Sequence, residues 1–283
     1  MRRSSIPHPT PNPQCGVRGA GYVTVSGVVA VTEAVVGAGS ARRFRARLLR
    51  WFARHGRDLP WRRTRDPYAV LVSEVMLQQT QVSRVAEFYP RFLARFPSVE
   101  ALARARPKAV REAWDGLGYY ARATNLHALA RVVSRERNGE LPSDPDDLVR
   151  LPGVGRYTAS AVAAFAYEQP VAAVDTNVAR VVRRVFQDSG EWGVARDGAR
   201  RNRGPHRREP LPTPLSQRKI WELAAALVPK NGKTAWRFNQ ALMELGALVC
   251  RPRKPRCPEC PVRGHCRTGR RAVTVERRTQ PVH

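Results

Sequence analysis

Four of the five cysteines fall close together near the C-terminal end, as Cys250-x6-Cys257-x2-Cys260-x5-Cys266. Four thiolates on one short loop suit a thiophilic metal. Disulfides would need an oxidising compartment and a cysteine framework that the rest of the chain does not supply. Only the middle spacing is close, whereas structural zinc sites usually come as two close pairs. The unequal spacings fit a loop wrapped around a [4Fe–4S] cubane better; zinc, or thiols without a metal, are the alternatives. Arg251, Arg253, Lys254, Arg256, Arg263 and Arg267 stud the same loop, a stiff and cationic surface suited to phosphates. The fifth cysteine, Cys15, reads as a spare thiol.

Two further clusters could do chemistry. The turn Leu151-Pro-Gly-Val-Gly155 precedes a helical stretch, and its Gly153 and Gly155 would expose backbone N–H groups where an anion could approach. An ordinary helix–helix turn is the plain alternative. Farther on, Val174-Asp-Thr-Asn177 opens another helix. Asp175 there is an N-cap, and the helix dipole would favour its ionised form, useful beside a developing positive charge.

The elements that must position these groups are helices. Phe44, Leu48, Trp51 and Phe52 recur at i, i+4, i+7 and i+8. Asp66-Pro67 is a cap followed by proline at the first helical position, leading into a face of Tyr68, Leu71, Val72, Val75 and Met76. Continuing that face by three and four residues reaches Gln78 and Gln79 instead of apolar side chains. Helices are predicted over 85–96, 98–105, 107–115, 119–137 and 144–150, then along the stripe Val178, Val181, Val182 and Val185, from Ile220-Trp221, and over 237–250. Strand patterns are almost absent, so the predicted class is all-α. Residues 1–40 read as a disordered extension, 187–217 as a disordered basic insertion, and 271–283 as a tail.

Composition bounds the partner. The chain has 283 residues, 42% of them hydrophobic, enough for one large or two small cores. Its formal net charge of +27 points to a polyanion. Because 45 of the 50 basic residues are arginine, part of that excess is a compositional habit, and the sign is better evidence than the size. No stretch approaches the roughly 20 apolar residues of a spanning helix, so no membrane partner is expected. A cytoplasmic monomer, nucleoid-associated if bacterial, is the expectation.

Five blocks, in order, carry a resemblance. Ser73-Glu-Val-Met-Leu-Gln-Gln-Thr-Gln-Val82, Gly116-Leu-Gly-Tyr-Tyr-Ala-Arg-Ala123, Leu151–Gly155, Val174–Asn177 and the cysteine loop resemble the helix-hairpin-helix DNA glycosylases. The stretch holding Glu74 is similar to the MutY-type adenine DNA glycosylases. The similarity runs from about Phe44 to Cys266, apart from the basic insertion.

That resemblance implies a six-helix domain with the hairpin (66–174) packed on a helical [4Fe–4S] domain (41–65 plus 175–270). Mispair-containing double-stranded DNA would lie across the groove between them. It implies removal of adenine mispaired with 8-oxoguanine or guanine, with Glu74 as the acid and Asp175 as the carboxylate stabilising the sugar cation. Tyr157 and Asn177 would orient them, Gln78, Gln79, Thr80 and Tyr119 would wedge into the stack, and Gly153, Gly155, Arg251, Arg253 and Lys254 would hold phosphates. Cys250, Cys257, Cys260 and Cys266 would ligate the cluster. The endonuclease III type carries lysine where this chain has Tyr157, and no lysine occurs between Lys108 and Lys219, so water is the expected nucleophile. Endonuclease III-like action on oxidised pyrimidines, or a catalytically silent iron–sulfur DNA-binding protein, are the alternatives. Many relatives carry a further C-terminal domain for 8-oxoguanine recognition, for which the residues after Cys266 leave no room; the wedge would then supply that preference.

Overall fold

In the computed structural model, residues 38–186 and 215–270 are described, and they are helical with no strand among them. The chain order is α1 (Ala38–His55), α2 (Pro67–Leu77), α3 (Val82–Arg95), α4 (Val99–Arg104), α5 (Pro107–Ala113), α6 (Ala121–Glu136), α7 (Pro145–Leu148), α8 (Arg156–Phe165), α9 (Thr176–Phe186), α10 (Gln217–Leu227) and α11 (Gly232–Leu248). Short 3₁₀ turns span Pro60–Arg62, Cys257–Glu259 and Arg263–His265.

Asp66 caps α2, accepting from the Tyr68 and Ala69 amides at 3.1 and 3.3 Å, with Pro67 at the first position. Expectation and structure diverge beyond that start. α2 is buried on every side from Tyr68 to Met76, not on one face. A helix apolar all round belongs in a core, and here Glu74 is its sole ionisable carboxyl. The helix also stops at Leu77, so Gln78 and Gln79 lie on the turn that follows it instead of extending its face. α8 is likewise buried from Thr158 to Phe165, and its run of alanines lets it pack directly on α2.

Two hydrophobic cores result. The first joins Leu59 and Trp61 to α2–α8 and ends at Ala173. The second gathers Ala41, Phe44 and Leu48 of α1 with α9, α10 and α11, down to Val262. Met243 on α11 packs against both. Leu59 and Trp61 therefore belong with the first core, not with the second as the expected boundary at residue 66 would place them. α1 begins at Ala38, inside the expected extension, and α10 at Gln217, inside the expected insertion. Residues 1–37, 187–214 and 271–283 lie outside the described residues.

Two contacts of α11 fix the segment leading to Asp175. Asn239 accepts from the Ala173 amide at 3.1 Å and donates to the Val171 carbonyl at 2.9 Å. Two turns later, a Cβ on Gly246 would meet the Asn177 Cβ at 2.6 Å, so the helix approaches that closely only because the position has no side chain. No helix among the described residues is long and apolar enough to cross a membrane.

The cap on α2 yields a direct test. Asp66→Ala removes acceptors for two amides and is expected to cost about 1 kcal/mol, read as a melting point lower by a few degrees. An unchanged melting curve would show that Pro67 and packing hold the helix start alone.

Candidate active site

A cleft of about 780 Å³ opens between the two cores, within the range of small-molecule sites. It gathers residues from distant parts of the chain: Glu74 from α2, Tyr157 from α8, Asp175 and Asn177 from the start of α9, and Gln78, Gln79 and Thr80 from the turn after α2. Glu74 is only 4% exposed. The Tyr157 hydroxyl donates to its Oε2 at 2.7 Å. Asp175 Oδ1 accepts from the Val178 amide at 2.6 Å, capping α9, and its Oδ2 accepts from Asn177 Nδ2 at 2.8 Å. Asn177 is itself oriented by Arg180, which donates to Asn177 Oδ1 and to the Gly246 carbonyl, both at 2.8 Å.

These surroundings act on both carboxyls. Burial pushes Glu74 up to about 7; the Tyr157 hydrogen bond opposes this, and the charge of Asp175 adds to it. Burial also raises Asp175, against the expectation of an undisturbed ionised cap. It is opposed by the Val178 amide, the Asn177 side chain and Arg180. Burial therefore resists ionisation at both carboxyls, while the Val178 amide, Asn177 and Arg180 favour the charged form of Asp175, and the Tyr157 hydroxyl and Arg62 that of Glu74.

The cleft also holds groups that sequence reasoning did not single out. Glu244 on α11, with a fully buried side chain, binds Arg57 Nε at 2.6 Å and Arg62 Nη2 at 2.7 Å, while Arg62 Nε reaches Gln240 Oε1 at 2.8 Å. A single acid inside the apolar run from Ala241 to Val249 was the available signal. Trp61 and Trp221 also line the cleft, and the Arg156 guanidinium lies 4.0 Å from the Trp221 ring centroid. No lysine is among the lining residues.

The remaining expected site residues lie outside the cleft. Tyr119 is 62% exposed at the end of a neighbouring loop. Gly153, at φ 74°, and Gly155, the N-cap of α8, sit on the hairpin turn with exposed backbone. Arg251, Arg253 and Lys254 are exposed on the cysteine loop.

Cys250, Cys257, Cys260 and Cys266 line one small cavity beside Arg184. No three His, Cys, Asp or Glu side chains among the described residues converge tightly enough to hold a single ion. A cubane asks for less convergence, because each thiolate binds its own iron. The thiols are poor free acids: burial pushes Cys260 up to about 12 and Cys266 up to about 11, and their neighbouring thiols add to it. Arg184 Nη1 lies 3.3 Å from Cys250 Sγ, and the Gly269 amide donates to Cys266 Sγ at 3.2 Å. Crowded, partly buried sulfurs with N–H donors aimed at them fit the thiolate ligands of an iron–sulfur group.

A family model for HhH-GPD superfamily base excision DNA repair proteins matches residues 72–194. The adenine DNA glycosylase of Mycolicibacterium smegmatis is 44% identical over 237 residues, covering 82% of this chain and 73% of that protein. The human adenine DNA glycosylase is 43% identical over 237 residues, and the match spans 81% of this chain but only 40% of the human protein. Among solved structures, a thermostable thymine-DNA glycosylase superposes with a TM-score of 0.69 at 31% identity, covering 82% of this chain and 97% of its own.

The carboxyl pair makes one electrostatic prediction that needs no substrate. Tyr157→Phe removes the donor that stabilises ionised Glu74, so the carboxyl should titrate at a higher pH than in the parent. Carbon-13 NMR of labelled glutamate reads this directly; a shift to lower pH would overturn the assigned hydrogen bond.

Proposed function

The chain belongs to the HhH-GPD superfamily of base excision DNA repair proteins, alongside the MutY-type adenine DNA glycosylases, and we propose that it hydrolyses the glycosidic bond of adenine mispaired with 8-oxoguanine or guanine in duplex DNA. A base inside a duplex must be extruded before that bond can be reached, and the cleft has the size for one nucleoside.

Glu74 in its acid form gives its proton to a ring nitrogen of adenine. The glycosidic bond then breaks with its electron pair leaving on the neutral base. Asp175 faces the resulting oxocarbenium-like sugar as a fixed anion, the role a paired carboxylate takes in glycoside hydrolysis. Water adds at C1′ and returns a proton to Glu74. Tyr157 holds Glu74, and Asn177 holds Asp175. The observation that carries this reading is the buried Glu74, pushed up to about 7, in one cleft with the helix-capping Asp175 and no lysine in the lining.

Gln78, Gln79, Thr80 and Tyr119 fill the gap in the stack, while the Gly153–Gly155 turn and Arg251, Arg253 and Lys254 grip phosphates. The four cysteines would hold a [4Fe–4S] cluster, which when bound would cross-link that loop while its arginines and Lys254 supply the positive charge. The excision chemistry uses the chain's own carboxyls. The six-helix unit and the cluster unit form the two walls of the groove, and the enzyme acts as a monomer.

The test is a single-turnover assay on duplexes differing only in the base opposite adenine, with a guanine·thymine arm and with alkaline and neutral work-up. Adenine release with strands cut only after alkali is expected. Strand scission at neutral pH trapped by borohydride would favour the endonuclease III type. Thymine release would favour the thymine-specific reading that the 31%-identical structural neighbour suggests, and binding without release would mean a silent protein.

Glu74→Gln should lower release by at least about 100-fold while duplex binding is kept. Because the acid form does the work, the rate should fall as pH rises through about 7, the value burial gives Glu74. A rate that climbs through that window would make Glu74 a base. Metal analysis of the purified protein should give iron and sulfide; zinc in their place would displace the cluster assignment.

A further inference from the structure

Arg122, in the first turn of α6, is 9% exposed, whereas most arginines among the described residues are on the surface. Its guanidinium makes six hydrogen bonds to neutral oxygens. Nη1 donates to the carbonyls of Val75, Met76 and Gln78 at 2.9, 2.7 and 2.6 Å. Nη2 donates to the Thr80 hydroxyl at 3.0 Å and to the Leu117 and Gly118 carbonyls at 3.1 Å each. A buried cation without a carboxylate partner is costly, so the reason to keep it is geometric.

The geometry is specific. Val75 and Met76 end the helix that carries Glu74, and Gln78 and Thr80 flank Gln79. Leu117 and Gly118 lead directly into Tyr119. Both flanked residues are non-glycine in the left-handed region, Gln79 at φ 56° and Tyr119 at φ 48°. Such conformations persist only where surrounding contacts impose them. The Arg122 guanidinium also lies 5.6 Å from the Tyr119 ring centroid and 5.4 Å from that of Trp114, whose indole nitrogen donates to the Gly118 carbonyl at 3.2 Å. Two turns far apart in sequence are thus tied to one planar fork.

We propose that Arg122 is a positioning residue that fixes the two turns bearing Gln79 and Tyr119 relative to each other and to Glu74, so that extrusion of the target nucleotide and its delivery to the acid are set by one anchor. This rests on the reading of Gln79 and Tyr119 as wedges. A lysine cannot replace the fork, since three donors on a point charge do not reach six acceptors in a plane.

The experiment compares the parent with Arg122→Lys, Arg122→Gln, Tyr119→Ala and the Arg122→Gln/Tyr119→Ala pair, each checked for folding by circular dichroism. Three readings are taken on an adenine·8-oxoguanine duplex: affinity, single-turnover release, and fluorescence of 2-aminopurine placed at the target position. Duplex affinity should stay within about threefold, release should slow by on the order of 100-fold, and the 2-aminopurine rise that marks extrusion should be lost, in Lys as in Gln. Tyr119→Ala should add little once Arg122 is gone, because the turn it sits on is already released.

A full 2-aminopurine rise in the Arg122 variants, or an undiminished Tyr119→Ala penalty in the pair, overturns the proposal. Should the Arg122 variants fail to fold, a Gln79→Ala and Tyr119→Ala cycle in the parent tests the same link. Coupling of at least about fivefold is expected, and independence overturns it. A parent enzyme that releases no adenine would instead sink the reading of the active site.

Discussion

Two buried carboxyls from distant parts of the chain share one cleft, and much of the molecule serves the different surroundings it gives them. Burial acts on both Glu74 and Asp175, so desolvation alone cannot separate them. The difference comes from donors. Asp175 sits at a helix start with a backbone amide, an amide side chain and the Arg180 guanidinium; Glu74 has one phenol and the Arg62 guanidinium. The helix that caps itself on Asp175 thereby sets the charge of the site as well as the fold of the second core.

The fold divides its labour accordingly. α2 and α8, buried on all sides, take an acid out of water and push its pKa up. α9 is amphipathic, turning Val178, Val181, Val182 and Val185 to the core while Arg180 orients Asn177 from the other side. Glu244 joins the two regions by binding Arg57 and Arg62. Removing one partner from such a buried set typically costs 3–5 kcal/mol, roughly a third or more of an ordinary domain's stability.

Much of this was legible in the residues. The Asp66-Pro67 start, the valine stripe of α9 and the cap at Asp175 follow from local rules that tertiary contacts did not override. The resemblance blocks singled out Glu74, Tyr157, Asp175 and Asn177, which the fold gathers in one cleft. What escaped was long-range or disguised. Periodicity carried Gln78 and Gln79 onto α2, because nothing local announces that the helix ends at Leu77. Arg62 and Glu244 are 182 positions apart, and each alone looks like a surface charge. Arg122 was hidden by abundance, one guanidinium among 45 arginines, distinguished only by the six oxygens around it.

The close approach of Gly246 to Asn177 has a mechanical implication. Where backbone rests on backbone, no side chain stands between to swing aside, so that part of the wall cannot yield by changing a rotamer. Any widening there must move α11 bodily and disturb Asn239 and Glu244 with it.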